Sequence, residues 1–330
     1  MAIGKKIVTG LLALCLQGGI QVDPRCSASE NPSDKIKTES VRVVVPISVQ
    51  FEDAEPVAGL KKEDFALFVD KSPVGDFQFL HNADIPVFMG VVFDHSSPAV
   101  IGHFGWMKEM IRGLIHQFSP EDRFFLATFG YDYVNVQPPT SDRIEIMETL
   151  NNLHPQMFST HASFWDYFKT GPQDLTKKLK SDPPNKTAIG LDRSLHSLEQ
   201  AENPKKVLLI FSDGDENLSD ITLHHVQRYG YPCYFIYFDG SGFGQRSLFR
   251  RGEMLKTVAR ETGGGVITPA KTDDPSVVGK KISEWVRNQY LIGFEPSAEL
   301  ARDKTHSIVV TVNRPAAKLY YRKSFRFVKE

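Results

Sequence analysis

The sequence of 330 residues is poor in the features that mark several specialised protein classes. Its 39 Lys and Arg residues balance 40 Asp and Glu residues, so the formal net charge is -1 and no basic stripe favours nucleic acid. It has no Gly-x-Ser-x-Gly elbow, no His-Glu-x-x-His helix and no Cys-x-x-Cys pair. With only three cysteines, it is also unlike small disulfide-rich domains. These absences argue against an enzyme and against a nucleic-acid-binding protein.

The single apolar run that resembles a targeting segment lies at the N-terminus. Lys5-Lys6 precedes the uncharged stretch Ile7–Ile20, which is shorter than the roughly 20 residues of a membrane span. We therefore interpret residues 1–28 as a signal peptide and 29–40 as a linker; an uncleaved anchor is the alternative. Cleavage would leave Cys233 as the one thiol. We expect an exported protein, periplasmic, cell-surface or secreted, without stable membrane insertion after cleavage.

The pattern of apolar residues changes twice along the rest of the chain. Residues 41–84 contain short apolar runs between turn residues, which predicts a small β-rich segment. Residues 85–288 alternate continuous apolar runs with stretches of helical period, as in a mainly parallel sheet flanked by helices. Residues 289–330 are patterned as strands, and the imperfect alternation of Ser307–Val312 suggests partial burial on both faces. The predicted fold class is α/β, a doubly wound Rossmann-like domain with a small antiparallel β unit formed by the N- and C-terminal segments.

Oxygen-bearing side chains follow two of the predicted buried strands. The segment Asp94-His95-Ser96-Ser97-Pro98 comes directly after the run Val87–Phe93, and Ser212-Asp213-Gly214-Asp215 comes directly after Val207–Phe211. In parallel sheets the carboxyl ends of strands share one edge, where ligands bind. Thr187 opens a helix after a polar loop and is expected at the same edge. Carboxylate and hydroxyl oxygens suit Mg²⁺, Mn²⁺ or Ca²⁺ rather than zinc.

These three segments resemble the metal-ion-dependent adhesion site of von Willebrand factor A domains. Further segments are similar to the VWFA-related proteins first described in Acidobacteria, and they occur in this order: Ile47-Ser48-Val49, Pro56–Leu60, Glu63-Asp64-Phe65, Asn288–Phe294, Arg314-Pro315 and Tyr321-Arg322-Lys323. The resemblance covers nearly the whole chain after the predicted signal peptide. It therefore implies a von Willebrand factor A-like domain over residues 85–288.

The same resemblance implies a metal site and a function. It assigns four metal ligands: Asp94, Ser96, Thr187 and Asp213. Beside them, three residues are candidates for contact with a bound partner: His95, Ser97 and Asp215. The implied protein is an exported, non-catalytic binding or adhesion-type module that uses Mg²⁺, or Mn²⁺ or Ca²⁺, to hold a protein partner by an acidic residue. We expect Asp213→Ala to abolish metal binding and to leave the fold intact.

Two departures from the family pattern leave a second function open. The third motif position is Pro98, which has no side-chain oxygen; loss of one neutral ligand is expected to cost on the order of 1 kcal/mol. Residues 155–185 are interpreted as an insertion before the Thr loop, and an alternative alignment places that loop at 160–166. The alternative function is a structural or assembly protein with a vestigial metal site, which binds through the insertion or the β-rich segment.

Overall fold

The structure is a computed structural model, and it describes residues 43–51, 55–81, 85–96, 98–130, 133–154, 186–203, 205–214, 220–238, 251–297, 300 and 304–326. The predicted signal peptide, linker and insertion lie outside these ranges. Within them, no helix is both long enough and apolar enough to cross a membrane.

The secondary structure changes character twice along the described chain. Short strands come first: β1 (Val43–Gln50), β2 (Phe65–Val69), β3 (Ser72–Pro73) and β4 (Gln78–His81). Strands and helices then follow: β5 (Val87–Asp94), α1 (Pro98–Gly102), α2 (Phe104–Ile115), β6 (Arg123–Phe129), β7 (Val134–Thr140), α3 (Arg143–Asn152), α4 (Lys186–Glu199), β8 (Lys205–Ser212), α5 (Asp220–Tyr229), β9 (Cys233–Tyr237), α6 (Arg251–Thr262), β10 (Gly265–Ile267) and α7 (Pro275–Arg287). Strands close the series: β11 (Gln289–Phe294), β12 (Thr305–Val312), β13 (Lys318–Tyr321) and β14 (Ser324–Arg326).

A six-stranded sheet in the order β10-β9-β8-β5-β6-β7 forms the centre of the α/β part. All its neighbouring strands are parallel except β7, which runs antiparallel to β6. Every residue of β5 is buried, as a strand covered on both faces requires. One apolar core holds side chains of α2, α3 and α7, and another holds side chains of α4, α5 and α6. The prediction of a mixed α/β fold is confirmed, with an antiparallel strand at one edge of the sheet.

Strands from the two ends of the chain pair with each other. One sheet has the order β13-β1-β11-β4 and another has the order β14-β12-β2-β3. Their pairings are antiparallel, with Val45 opposite Ile292 and Val310 opposite Leu67. All four of these side chains belong to one apolar core. The burial of β12 alternates strictly, so the expectation of burial on both of its faces is wrong: Val309 is 44% exposed, because only one face of this sheet covers the core.

Arg322, between β13 and β14, ties the antiparallel sheets to the α/β part. Its side chain is buried, its Nε donates to the Ser324 carbonyl at 2.9 Å, and its Nη2 donates to the Gln227 carbonyl in α5. Burial lowers the pKa of Arg322 to about 10. Gly230 has φ +65°, and a Cβ there would come within 1.9 Å of the guanidinium. Glycine is therefore required where the two parts meet.

Candidate metal centre

Asp94 ends β5, and its carboxylate closes a tight turn with Ser96. The residue is 2% exposed. Its Oδ1 accepts hydrogen bonds from the Ser96 amide at 2.9 Å and from the Ser96 hydroxyl at 2.6 Å. An Asp side chain that accepts a hydrogen bond from the amide two residues later commonly stabilises a turn. The turn therefore holds a carboxylate and a hydroxyl side by side at the carboxyl end of a buried strand.

The end of β8 meets this turn from the neighbouring strand. Phe93 is in register with Phe211, so Asp94 and Ser212 are the next residues along each strand. The Ser212 hydroxyl donates to Asp94 Oδ2 at 3.2 Å and accepts from the Gly214 amide at 3.1 Å. Asp213, which lies between them in sequence, is 8% exposed. The structure thus brings Asp94 and Ser96 together with the segment that carries Asp213.

Thr187 is the second residue of α4, and its side chain lies outside the described part of the structure. The helix packs against β5 and β6. Gly190, one turn after Thr187, lies so close to Phe129 that a Cβ would come within 2.3 Å of the ring. Phe129 is the last residue of β6. The start of α4 is therefore at the same sheet edge as Asp94. The alternative position for the Thr loop, residues 160–166, is not among the described residues.

The structure describes some of the other predicted site residues and not others. His95 is half-buried; its amide donates to the Phe129 carbonyl at 2.8 Å, and a Cβ on Gly130 would come within 2.5 Å of its ring. His95 thus ties the turn to β6. Ser97 and Asp215 lie outside the described residues. Pro98 is the first residue of α1, a position that favours proline because the first amide of a helix has no intrahelical acceptor.

Comparisons with known proteins add structural likenesses of low similarity. No family model matches the chain, and no curated protein matches it. An aerotolerance-related membrane protein from Bacteroides fragilis is 15% identical, with 61% of this chain and 98% of that chain covered and a TM-score of 0.43. The PilB minor pilin from Streptococcus sanguinis is 12% identical, with 66% and 63% covered and a TM-score of 0.41.

A third solved structure is proximal thread matrix protein 1 from the mussel byssus, with a zinc-occupied MIDAS motif. It is 15% identical, with 62% of this chain and 49% of that chain covered and a TM-score of 0.42. All three TM-scores lie below 0.5.

The donor set at the sheet edge fits a small divalent cation. It consists of the oxygens of Asp94, Ser96 and Asp213, which are hard ligands. A hydroxyl that gives its proton to Asp94 still has oxygen lone pairs for a cation. No group of three His, Cys, Asp or Glu side chains able to hold a metal occurs in the described ranges. Two carboxylates with hydroxyls and water suit Mg²⁺ or Mn²⁺ better than a carboxylate-rich Ca²⁺ site would.

The cavity beneath Asp94 is too small for an organic substrate. A cavity of about 10 Å³ lies under the turn, between the end of β5 and the helices α1 and α2. That volume corresponds to roughly one water molecule. Its lining is mainly apolar: Phe93, Asp94, His95, Val100, Ile101, Phe104 and Met107.

Ser212 is the residue of this cluster that sequence reasoning missed as a site residue. It is fully buried at the end of an apolar strand, yet its hydroxyl contacts Asp94. The Ser-Asp-Gly order indicates only that a polar residue stands at the strand end. The hydrogen bond from Ser212 to Asp94 on β5 is known from the structure alone.

Proposed function

We propose that the protein is an exported, non-catalytic binding module that recognises a protein partner through a divalent cation. In this proposal the six-stranded sheet belongs to a doubly wound von Willebrand factor A-like domain, of the kind found in the VWFA-related proteins of Acidobacteria. The observation that carries the proposal is the hydrogen-bonded cluster of Asp94, Ser96 and Ser212 at the carboxyl ends of two adjacent parallel strands.

The residues of the cluster have distinct tasks in this proposal. Asp94 and Asp213 supply negative charge, while Ser96 and Thr187 supply neutral hydroxyl oxygens. A bound Mg²⁺ or Mn²⁺ would offer a coordination position to a carboxylate from the partner. Because the site holds only two carboxylates, it balances the charge of the cation and adds no excess negative charge that would repel a third carboxylate. An acidic residue of a protein is therefore the ligand that this site favours.

Two observations support a non-catalytic role. The Ser96 hydroxyl donates to the Asp94 carboxylate, so its proton is held within the turn at the end of β5. The Cys233 thiol is fully buried, and burial raises its pKa to about 12. A thiol in that state is not a nucleophile at neutral pH.

The proposal predicts saturable, one-to-one binding of Mg²⁺ and Mn²⁺ to the protein from Ser29 after chelator treatment, measured by titration calorimetry. Asp213→Ala should abolish this binding and leave the far-UV circular dichroism spectrum unchanged. Asp274→Ala is the matched control, because Asp274 caps α7 from an exposed position. Unchanged metal affinity in Asp213→Ala would remove this residue from the site.

A second candidate function follows from Pro98, which begins α1 and contributes no side-chain oxygen. In that alternative the metal site is vestigial, and the protein acts in structure or assembly through the 155–185 insertion or the β-rich segments. Affinity capture of partners in Mn²⁺ and in chelator separates the two functions. Capture that is lost in chelator supports metal-dependent recognition, whereas equal capture in both supports the alternative.

A further inference from the structure

The hydroxyl of Ser212 is used twice, once toward each side of the candidate site. Ser212 is 0% exposed, and a buried hydroxyl is costly unless it is hydrogen-bonded. Its Oγ donates to Asp94 Oδ2 at 3.2 Å and accepts from the Gly214 amide at 3.1 Å. One proton and one lone pair are thereby committed to the ends of two different strands.

The two oxygens of the Asp94 carboxylate are divided between two serines. Ser96 donates to Oδ1 and Ser212 donates to Oδ2. With both oxygens engaged, the carboxylate cannot rotate without breaking a hydrogen bond. On the other strand, Gly214 has φ +62°. The hydrogen bond from its amide to the Ser212 hydroxyl fixes the turn that contains Asp213.

We infer that Ser212 is a positioning residue of the metal site, whose hydroxyl locks the Asp94 carboxylate and the Asp213-Gly214 turn into one unit. The inference rests on the proposed function and adds a residue outside the four assigned metal ligands. Groups that orient metal ligands commonly change metal affinity by about 10- to 100-fold when they are removed. Ser212 contributes to affinity by orienting Asp94, so the hydroxyl itself is what matters and not the size of the side chain.

The test compares the Mn²⁺ affinity of the wild type, Ser212→Ala, Ser212→Thr and Ser283→Ala by titration calorimetry. Ser212→Ala should bind Mn²⁺ about 10- to 100-fold more weakly. Ser212→Thr keeps the hydroxyl and should restore affinity to within a few-fold of the wild type. Ser283 is also buried, with a hydroxyl that donates to the Lys280 carbonyl in α7. Its replacement by alanine should leave the affinity unchanged.

The threonine variant separates positioning from a general effect on packing. Threonine adds a methyl group at a fully buried position, so a purely structural role would make Ser212→Thr at least as harmful as Ser212→Ala. Wild-type affinity in Ser212→Ala would overturn the inference. Equal weakening in both variants would also overturn it.

A second measurement decides the inference even if the wild type binds no metal, an outcome that would sink the proposed function itself. Thermal unfolding of the metal-free protein is compared for Asp94→Ala, Ser212→Ala and the double variant. If the Ser212 hydroxyl holds Asp94, the double variant should lose less in Tm than the sum of the single losses, because both changes remove the same hydrogen bond. Additive losses would show that the two side chains act independently and would overturn the inference.

Discussion

Two buried aspartates lie at opposite ends of the strands in the six-stranded sheet, one at the carboxyl ends and one at the amino ends. They are held by different kinds of donor. Asp94, at the carboxyl end of β5, accepts from the hydroxyls of Ser96 and Ser212 and from the Ser96 amide. These donors are neutral. They fix the carboxylate in place at the edge where the other candidate ligands meet.

Asp122, at the amino end of β6, is just as buried, at 1% exposed. It accepts from the Val87 amide at 2.6 Å and from the amide and hydroxyl of Ser119 at 2.6 and 3.0 Å. In addition, Nη1 of Arg287 approaches its Oδ2 at 3.4 Å. This carboxylate therefore has a cation supplied by the protein itself.

The difference separates a structural carboxylate from the one that we propose binds metal. A buried charge is tolerated when it is paired or bound to metal. Asp122 meets that condition within the fold, since α7 brings Arg287 to it. At Asp94 the clustered hydroxyls and the nearby Asp213 make a set of oxygen donors, which is the arrangement that a divalent cation requires. Burial alone does not distinguish the two residues; the chemistry of their partners does.

Loss of the Asp122 carboxylate is expected to destabilise the protein more than loss of the Asp94 carboxylate. Asp122→Ala should destabilise the protein by about 3–5 kcal/mol, because it leaves Arg287 and the buried Lys205 without their carboxylate. Asp94→Ala should cost only about 1–3 kcal/mol and should abolish metal binding. Urea unfolding in chelator measures both losses, and calorimetry measures metal binding. A loss for Asp94→Ala as large as that for Asp122→Ala would show that the two carboxylates have the same structural role.

Lys205, at the start of β8, is a buried cation near Asp122. It is 1% exposed, and its Nζ has no hydrogen-bond partner in the part of the chain that the structure covers. Burial holds its pKa well below 10.5, with Asp122 opposing that shift and Arg287 adding to it. Between this lowered pKa and 10.5 the unfolded chain binds more protons, so stability should rise with pH in that window.

Lys205→Met should remove this rise and stabilise the protein near neutral pH by on the order of 1 kcal/mol. Urea unfolding across the alkaline range checks the slope. Lys280→Met, at an exposed position in α7, is the control and should keep the wild-type slope. An unchanged slope in Lys205→Met would mean that its amine is solvated in the folded protein.

The α/β part was largely predictable because its signals are local. The run Val87–Phe93 predicts a strand buried on both faces, and the structure has β5 at Val87–Asp94. Pro275 and the helical period after it predict a helix to Arg287, which is α7. Because parallel strands end at one edge, the positions of Asp94 and Asp213 at that edge also followed from the pattern.

What the sequence could not reveal depends on contacts between distant segments. Lys205 is charged and stands at a strand start, where exposure is the ordinary expectation; it is buried near Asp122 and Arg287, which come from elsewhere in the chain. Ser212 was missed because its role requires the neighbouring strand. Val309 is apolar yet faces solvent, since the outer face of its sheet has no covering layer in the described structure.

A third carboxylate, that of Asp70, is expected to contribute least to stability. It tests whether burial sets how much a carboxylate stabilises the fold. Asp70 has a side chain that is 43% exposed, and its Oδ2 lies 2.6 Å from Nδ1 of His306. The hydrogen bond with His306, followed by that from the Ser307 amide, lowers the pKa of Asp70 below 3.8. Its stabilising contribution is therefore present above pH 3.8 and is lost as the pH falls through the lowered pKa.

Asp70→Asn should cost less than about 1 kcal/mol at neutral pH, because solvent screens an exposed pair. Asparagine keeps the backbone at φ 47° without added strain. Asp76→Asn is the control. Asp76 is fully exposed, and its ion pair with the Lys62 amine is a long contact of 3.7 Å. Urea unfolding from neutral to acid pH should show the Asp70→Asn difference vanishing as Asp70 protonates. If the loss matched that of Asp122→Ala, partner chemistry alone would rank the three carboxylates, and burial would not matter.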